Sequence, residues 1–213
     1  MDEPWPDIAA AYDAAAADYA DLFGAELAGK PFDRELLDRF AAAVAGRGPV
    51  WDVGCGSAGH VTRYLADRGV EAAGADLSPG AVAQARQRQP DLTFHVADLR
   101  ALPVPGGSLA GITAFYSVIH LPRPQLPVAM AEFRRALVPG GSALIAMHGG
   151  AGELDSAEAF GHRNPLRATL VSLAELAAVT QAAGLTVDWQ HEREPYPSEH
   201  ATPRVYLWAR RPQ

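Results

Sequence analysis

Residues 50–60 read VWDVGCGSAGH, a short apolar run followed at once by a glycine-rich turn. The run suits a buried strand, and glycines placed directly after a strand let the chain turn tightly and let a ligand approach the backbone. In an open α/β sheet, ligands bind in the crevice outside the carboxyl ends of the strands. The stretch therefore predicts an α/β fold in which the turn at Gly54–Gly59 faces a ligand.

Strands and helices alternate through the rest of the chain. The predicted strands span residues 50–53, 71–76, 92–98, 109–118, 142–148, 185–192 and 204–210, and the predicted helices span residues 58–69, 79–89, 124–138 and 172–184. This alternation predicts right-handed crossovers and a mostly parallel sheet that is covered on both faces. The last two strands follow each other and alternate apolar with polar residues, which predicts an antiparallel hairpin at one edge. We therefore expect a doubly wound, mostly parallel seven-stranded sheet that ends in this hairpin.

Two helices are predicted before the first strand. Residues 7–23 are rich in alanine and repeat larger apolar and aromatic residues, Tyr12 and Tyr19 among them, at helical spacing, which predicts one helix. A second helix over residues 32–45 ends in the glycine and proline residues of 46–49. We find no internal repeat and no low-complexity linker, so these helices are expected to extend a single domain.

The composition excludes several classes of protein. The formal net charge of −7 argues against general nucleic-acid binding, which needs a basic face to offset phosphate repulsion. Cys55 is the sole cysteine, so no internal disulfide can form. The first residues lack the basic and apolar regions of a secretory signal, and no stretch approaches the roughly twenty apolar residues of a membrane helix. We expect a soluble, cytoplasmic protein with no nucleic-acid partner and no membrane partner.

The nature of the ligand depends on Asp52. Gly54, Gly56 and Gly59 spell the G-x-G-x-x-G pattern of dinucleotide sites, and Asp76 ends the next predicted strand about twenty residues later. Asp52 would repel a pyrophosphate, because two unit charges a few Å apart interact by about 4 kcal/mol at an effective dielectric constant of 20. A cationic nucleoside satisfies both the glycine pattern with Asp76 and the negative charge of Asp52. S-adenosylmethionine fits, because it has a sulfonium, an α-ammonium group, a ribose and an adenine but no phosphate.

A third acidic position supports this interpretation. The predicted strand 92–98 ends in Asp98 and Leu99, where the acidic side chain can accept from the adenine amino group while a backbone N–H donates to the ring. Asp52, Asp76 and Asp98 thus lie at or near the carboxyl ends of three successive predicted strands. We expect a crevice that is negatively lined because its ligand is positively charged.

In these features the chain resembles the class I S-adenosylmethionine-dependent methyltransferases, which have a Rossmann-like fold. The matching segments are 50–60 (VWDVGCGSAGH), 74–78 (GADLS), 96–103 (VADLRALP), 113–123 (TAFYSVIHLPR) and 132–146 (EFRRALVPGGSALIA). The resemblance extends over the whole chain, and its general pattern is that of small bacterial methyltransferases that act on small molecules. The five segments are specific for the fold and the cofactor and say little about the methyl acceptor.

The resemblance implies a role for each matching residue. The implied cofactor-binding residues are Tyr12, Tyr19, Asp52, Gly54, Cys55, Gly56, Gly59, Asp76, Leu77, Ser78, Asp98, Leu99 and Tyr116. The glycine turn would hold the methionine and ribose portions, with Asp52 near the ammonium group. Asp76 would bind the ribose hydroxyls, the two residues after it would lie beside the adenine, and Asp98 would bind the adenine edge. Tyr116 would close over the methionine tail, and the two N-terminal tyrosines would cover the pocket.

We expect one domain, residues 1–213, with four parts. Residues 1–46 form a helical N-terminal lid, 47–148 the cofactor-binding core, 149–171 an acceptor-side loop or lid, and 172–213 a helix and the terminal hairpin. Little of the chain is left over for an RNA-binding or protein-recognition domain. We therefore expect a small-molecule acceptor.

Two histidines are candidates for a catalytic base. His120 follows the fourth predicted strand and His148 ends the fifth, so both are expected at the ligand-binding edge, and histidine titrates near neutrality. A base is needed only if the acceptor carries a proton that must leave. The structural alternative for each is a hydrogen-bonded loop histidine. The acidic and histidine residues of segment 148–170 match no tight metal-ligand motif, so no metal is expected.

The expected function is S-adenosylmethionine-dependent methyl transfer to an oxygen or nitrogen of a small molecule by in-line displacement, which leaves S-adenosylhomocysteine. One alternative is a protein of the same fold that binds the cofactor without transferring its methyl group. An NAD-dependent oxidoreductase is less favoured, because it leaves Asp52 and Asp98 unexplained.

Overall fold

The computed structural model describes residues 7–157, 160, 162 and 165–213. The strands in chain order are β1 (Val50–Val53), β2 (Ala72–Asp76), β3 (Thr93–Val96), β4 (Leu109–Phe115), β5 (Leu137–His148), β6 (Glu153–Ser156), β7 (Leu166–Thr169), β8 (Thr186–Arg193) and β9 (Arg204–Arg210). Seven of them form one sheet in the order β3-β2-β1-β4-β5-β9-β8, and β6 pairs with β7 in a separate hairpin.

The pairing within the large sheet makes a crevice at one point. β1 pairs in parallel with both β2 and β4, whereas β9 is antiparallel to its neighbours β5 and β8. The strand order therefore reverses between β1 and β4, and ligands of open α/β sheets bind beyond the carboxyl ends of the strands at such a switch point. The predicted fold class, a doubly wound, mostly parallel seven-stranded sheet with a terminal antiparallel hairpin, is confirmed.

Helices cover both faces of this sheet. They are α1 (Ile8–Ala14), α2 (Ala16–Phe23), α3 (Pro31–Val44), α4 (His60–Ala66), α5 (Pro79–Arg88), α6 (Leu126–Ala136) and α7 (Leu173–Ala182). One apolar cluster packs Met130 and Phe133 of α6 and Leu176 of α7 against the sheet. A second packs Phe40 of α3 and Leu65 of α4 against the opposite face. In the described part of the chain, no helix combines the length and apolarity that crossing a membrane requires.

The structure differs from the sequence-based expectation in the N-terminal helix. Residues 7–23 form two helices that meet at Ala15, which is buried, rather than the one helix predicted. In a continuous helix the Cα atoms of Tyr12 and Tyr19 would be about 10 Å apart. With the break, the two tyrosine rings lie edge to face with their centroids 5.5 Å apart.

A second difference lies in the segment after β5. We predicted a loop for residues 149–171, and the described part of that segment contains the β6–β7 hairpin, in which Glu153 is opposite Thr169. β7 packs on the short turn that follows β4, where the hydroxyl of Thr169 donates to the carbonyl of Leu121 at 2.6 Å. The hairpin therefore supports the wall of the crevice from outside the sheet.

Candidate active site

A cavity of about 330 Å³ lies beyond the carboxyl ends of the central strands. Its volume is within the usual range of small-molecule sites. The predicted site residues that line it are Tyr12, Tyr19, Gly54, Gly56, Asp76, Leu77, Asp98, Leu99, Tyr116 and His120. The predicted residues outside its lining are Asp52, Cys55, Gly59, Ser78 and His148.

The floor of the cavity is the turn after β1, and it requires glycine. Gly54 has a φ of +80°, and an added Cβ would come within 2.0 Å of the Cβ of Ser117. Its amide donates to the carbonyl of Ala75 on β2 at 2.7 Å, which pulls the turn over the neighbouring strand. An added Cβ at Gly56 would lie 3.2 Å from the ring of Tyr19, so the lid residue packs directly on the turn. Only an unsubstituted backbone leaves room for a ligand there.

Asp76 ends β2 and connects the glycine turn to the cavity. One carboxylate oxygen accepts from the amide of Gly56 at 2.9 Å, and the other accepts from the amide of Ser78 at 2.9 Å. Burial raises the pKa of Asp76, and these two amides oppose that rise. Each oxygen has a second lone pair, so the carboxylate can also accept from a pair of ligand hydroxyls.

Asp98, at the adenine end of the predicted site, is already engaged. The guanidinium of Arg100 donates from Nε to Oδ1 at 3.0 Å and from Nη2 to Oδ2 at 2.5 Å. The Arg100 guanidinium lowers the pKa of Asp98. Sequence reasoning missed Arg100, although a basic residue two positions after an acidic one signalled such a pair. Asp7 also lines the cavity, so three carboxylates face it, and the Arg100 guanidinium in its wall is paired with one of them.

The acidic residue that suggested the cofactor lies behind the turn. Asp52 is 1% exposed, and it accepts from the hydroxyl of Thr62 at 2.8 Å and from that of Thr113 at 3.0 Å. These contacts tie β1 to α4 and β4. Asp52 is therefore buried behind the turn and outside the lining of the cavity, and its expected position near the ammonium group of the cofactor stays a prediction.

The other predicted residues outside the lining have local structural reasons. Cys55 is buried in an apolar cluster with Phe94, and burial raises the pKa of its thiol well above the usual value. Gly59 has a φ of +57° and faces the ring of Phe94, which a Cβ would approach to 2.8 Å. Ser78 caps α5, accepting from the amide of Ala81 at 2.9 Å. Each stabilises the shape of the site without facing it.

His120 lines the cavity and has a defined partner on each ring nitrogen. Its Nε2 lies 2.8 Å from the hydroxyl of Tyr12, and its Nδ1 lies 3.0 Å from the carbonyl of Arg167 on β7. Burial lowers the pKa of His120, which favours the neutral ring. The sequence predicted the position of His120 at the ligand-binding edge, but nothing in it indicated Arg167 as a partner.

Residues from a distant segment pack on the two N-terminal tyrosines that line the cavity. Phe160 lies among the rings of Tyr12, Tyr19 and Phe23, with centroid distances of 5.7, 4.9 and 5.8 Å. His162 Nε2 lies 2.7 Å from a carboxylate oxygen of Asp18. We predicted lids at residues 1–46 and 149–171, and the described parts of both segments meet here. Residues 1–6, 158–159, 161 and 163–164 of these segments lie outside the described residues.

Comparison with known proteins identifies the domain. The family described as methyltransferase domain matches residues 50–141, which include the glycine turn, Asp76, Asp98 and His120. The chain carries a class I methyltransferase domain. The prediction of S-adenosylmethionine as the cofactor is confirmed, because it is the methyl donor of this class.

The relatives of this chain act on different molecules according to their names. The dTDP-3-amino-3,4,6-trideoxy-alpha-D-glucopyranose N,N-dimethyltransferase of Streptomyces venezuelae is 33% identical over 139 residues, 63% of this chain and 57% of that relative. Trans-aconitate 2-methyltransferase of Methylobacterium nodulans is 33% identical over 169 residues, 72% of this chain and 63% of the relative. The chain thus spans roughly three fifths of the length of these two relatives.

Solved structures of low sequence identity share the fold. A SAM-dependent methyltransferase from Methanosarcina mazei superposes with a TM-score of 0.69 at 16% identity, covering 77% of this chain and 92% of that one. Geranyl diphosphate C-methyltransferase from Streptomyces coelicolor A3(2), in complex with S-adenosyl-L-homocysteine, superposes with a TM-score of 0.66 at 15% identity, covering 84% and 75%.

The cavity of the domain suits this cofactor rather than a dinucleotide. Gly54 and Gly56 form a cradle that side chains would fill, and the carboxylate of Asp76 stands at its edge. The carboxylate of Asp7 also lines the cavity, and the Arg100 guanidinium in its wall is paired with Asp98. A cationic nucleoside with a ribose therefore fits these residues, and a pyrophosphate would face uncompensated carboxylates.

His148, our second candidate base, supports the wall of the site instead of lining the cavity. Its Nδ1 lies 2.7 Å from the hydroxyl of Thr202, and its ring centroid lies 5.5 Å from that of Tyr116. Burial and the neighbouring Arg204 lower its pKa to about 3. The imidazole is therefore neutral at physiological pH and packs behind Tyr116.

We expect His148 to make the stability of the protein depend on pH. The pKa of His148 is about 3 in the folded state and about 6.5 in an unfolded chain. The unfolded state therefore binds a proton that the folded state does not, and stability is lost as the pH falls from about 6.5 towards 3, by up to about 1.4 kcal/mol per pH unit. Urea unfolding at a series of pH values measures this slope.

The matched control is the exposed His191 on β8. His148→Asn should flatten the slope by as much as one proton, and His191→Asn should leave it at the wild-type value. An equally steep slope in His148→Asn would show that another group causes the acid sensitivity.

A buried polar network, which sequence reasoning missed, holds Tyr116 in place. Tyr116 has a φ of +55°, a strained conformation for a residue other than glycine. Its hydroxyl lies 3.2 Å from that of Tyr206, which in turn donates to Asp33 on α3 at 2.5 Å. Arg193 on β8 donates to the same Asp33 carboxylate at 3.3 Å and to Glu199 at 2.7 Å. The wall of the cavity is thus tied to α3 and to the terminal hairpin.

Proposed function

We propose that this protein transfers a methyl group from S-adenosylmethionine to a nucleophilic oxygen or nitrogen of a small molecule. The observation that carries the proposal is the presence, in one cavity, of the Asp76 carboxylate and the buried, neutral His120 imidazole. The carboxylate suits the ribose of the cofactor, and the imidazole suits the proton of an acceptor.

The residues of the cavity divide into binding roles. Asp76 would accept hydrogen bonds from both ribose hydroxyls, and the backbone of Gly54 and Gly56 would lie against the methionine portion. Leu77 and Leu99 would pack on the adenine. Asp98 would bind the adenine edge only where its pair with Arg100 opens or is shared. Bound S-adenosylmethionine supplies a methyl group that is activated by a positively charged sulfur.

The protein contributes to the reaction by aligning the acceptor and by accepting its proton. Holding the acceptor in line can contribute roughly 7–11 kcal/mol to lowering the barrier. A positioned base typically adds about 10²–10⁴-fold, and His120 is the residue of the cavity suited to that role because its pKa is lowered and its ring is neutral. His148 serves as packing behind Tyr116 in this proposal.

The small size of the acceptor is supported by the relatives. The names of two of them specify a deoxyamino sugar nucleotide and trans-aconitate, both small molecules. The cavity, at about 330 Å³, is small and is covered by Tyr12 and Tyr19. We propose that residues 1–213 act as one unit in which both lid segments enclose the acceptor.

The test combines binding with label transfer. Calorimetry should show that the protein binds S-adenosylhomocysteine and, in a separate titration, that it does not bind NAD. Protein incubated with methyl-radiolabelled S-adenosylmethionine and a cell extract should place the label in the small-molecule fraction and release S-adenosylhomocysteine. Tight NAD binding without S-adenosylhomocysteine binding would indicate an oxidoreductase. Intact cofactor with no labelled product would indicate a protein that binds the cofactor without methyl transfer, and label in nucleic acid or protein would exclude a small acceptor.

A further inference from the structure

We propose that Tyr12 is a catalytic residue that relays the acceptor's proton to His120. The inference rests on the proposed methyl transfer and adds the route by which the proton leaves. Tyr12 was expected only to cover the cofactor. The structure places Tyr12 in the lining of the cavity, with its hydroxyl 2.8 Å from Nε2 of His120.

The direction of each hydrogen bond follows from the partner of Nδ1. The carbonyl of Arg167 can only accept, so Nδ1 of His120, 3.0 Å away, carries the proton of the neutral ring. Nε2 then has the lone pair, and the hydroxyl of Tyr12 must donate to it. The carbonyl belongs to β7, and the side chain of Arg167 is itself fixed by Asp155 at 2.6 Å. The β6–β7 hairpin therefore sets the tautomer that a relay needs.

Tyr12 also lines the cavity in which the acceptor is proposed to bind, where a proton relay has to begin. Both Tyr12 and the Asp76 carboxylate line the cavity, and burial with the nearby Asp76 charge raises the pKa of Tyr12 far above its usual value. The phenol therefore stays protonated and cannot itself act as a base. It can pass a proton on, because its oxygen keeps two lone pairs towards a donor while its own proton points to His120. Tyr12 thus stands between the cofactor-binding carboxylate and the imidazole.

The proposed step balances in atoms and charge. The acceptor oxygen or nitrogen forms a bond to the methyl carbon, and the electron pair of the carbon–sulfur bond stays on sulfur, which becomes neutral. The proton of the acceptor moves to the oxygen of Tyr12, and the proton of Tyr12 moves to Nε2 of His120. The positive charge that leaves sulfur therefore ends on the imidazole. A weak base is sufficient for a hydroxyl acceptor, because a methylated oxygen that still carries its proton is strongly acidic.

The relay narrows the class of acceptor. The methylated group must donate a hydrogen bond to the oxygen of Tyr12, so it is a hydroxyl or an amine. A carboxylate has no proton to give, and its charge would face the carboxylates of Asp7, Asp76 and Asp98 in the same cavity. We infer that the acceptor is an alcohol, a phenol or an amine rather than a carboxylic acid.

The kinetic experiment uses Tyr12→Phe, His120→Gln and the double variant. Each single variant should slow label transfer into the small-molecule fraction by about 10²–10⁴-fold, and the affinity for S-adenosylhomocysteine should stay near the wild-type value. Because a relay acts as a unit, the double variant should be no slower than the slower single variant. Tyr12→Phe keeps the ring that contacts Tyr19 and Phe160, so the lid remains packed.

The matched control is Tyr64→Phe. The hydroxyl of Tyr64 on α4 makes a surface hydrogen bond to Asp38 at 3.0 Å, away from the cavity. This variant should leave both label transfer and S-adenosylhomocysteine affinity unchanged.

A second readout needs no acceptor. Nitrogen NMR of imidazole-labelled protein should show His120 protonated at Nδ1, and Tyr12→Phe should shift the Nε2 signal alone. Protonation at Nε2 instead would overturn the relay even before an acceptor is known.

The outcomes separate the relay from the proposed function. Wild-type protein that transfers label, with Tyr12→Phe equally fast, would overturn the relay and leave methyl transfer standing. A double variant slowed by the product of the two single effects would show two independent roles and would also overturn it. Wild-type protein that binds S-adenosylhomocysteine but transfers no label would overturn the proposed methyl transfer itself, and the relay with it.

Discussion

Asp76→Asn is expected to weaken S-adenosylhomocysteine binding by about 10–10²-fold. The carboxylate accepts from the amides of Gly56 and Ser78 on separate oxygens, and in the proposed complex it also accepts from the ribose hydroxyls. An asparagine side chain has only one oxygen. Its NH₂ group would face one of the two backbone amides, and one ribose hydroxyl would lose its acceptor. One hydrogen bond to a charged group is worth roughly 1.5–3 kcal/mol, which gives the stated range.

Calorimetry measures this change, and Asp188→Asn is the control. Asp188 is on β8 and pairs with Arg210 at the surface, at 2.9 Å, so its replacement should leave the dissociation constant unchanged. Thermal melting of both variants shows whether the fold is retained. If folded Asp76→Asn bound S-adenosylhomocysteine as tightly as the wild type, the ribose would lie elsewhere and our placement of the cofactor would be wrong.

Asp33→Ala is expected to lower the free energy of unfolding by about 3–5 kcal/mol. Asp33 is fully buried and accepts from the hydroxyl of Tyr206 at 2.5 Å and from Arg193 at 3.3 Å. Removing the carboxylate leaves both donors buried without this partner, and breaking a buried ionic network from one side costs that much. Urea unfolding, with the midpoint and the slope fitted separately, measures the loss.

Asp38→Ala is a control from the same helix. The carboxylate of Asp38 is 52% exposed and pairs with Arg68, so its loss should cost under about 1 kcal/mol. Equal losses from Asp33→Ala and Asp38→Ala would mean that the network behind Tyr116 contributes little to stability. A folded Asp33→Ala protein should also bind S-adenosylhomocysteine more weakly, because the hydroxyl of Tyr116 loses part of its support.

The order of strands and helices was predictable because its signals are local. Glycines follow β1 and α7, and a proline stands near the start of α5. Each of these residues lies within a few positions of the element boundary that it marks. The edge of the sheet that carries the site was predictable for the same reason, because parallel strands end at one edge. Asp76, Asp98 and His120 follow strands, so their convergence on one cavity was expected from the topology.

What the sequence did not reveal depends on contacts between distant residues. Tyr206 and Asp33 are 173 positions apart, and His120 and Arg167 are 47 apart. The direction of the Asp52 side chain also depends on contacts with distant residues. The sequence placed it at the right strand, but only the hydroxyls of Thr62 and Thr113 decide that its carboxylate points behind the turn. Local pattern gives the backbone position of a side chain, and its partners determine the direction in which it points.

The order of the strands also has a consequence for synthesis. β9 lies between β5 and β8, so β8 has no neighbour in the sheet until β9 has been made. During translation, residues 186–193 must leave the ribosome as an unpaired strand, which is a known risk for association with other chains. Slow translation between residues 193 and 210 would prolong that exposure, whereas rapid emergence of β9 would shorten it.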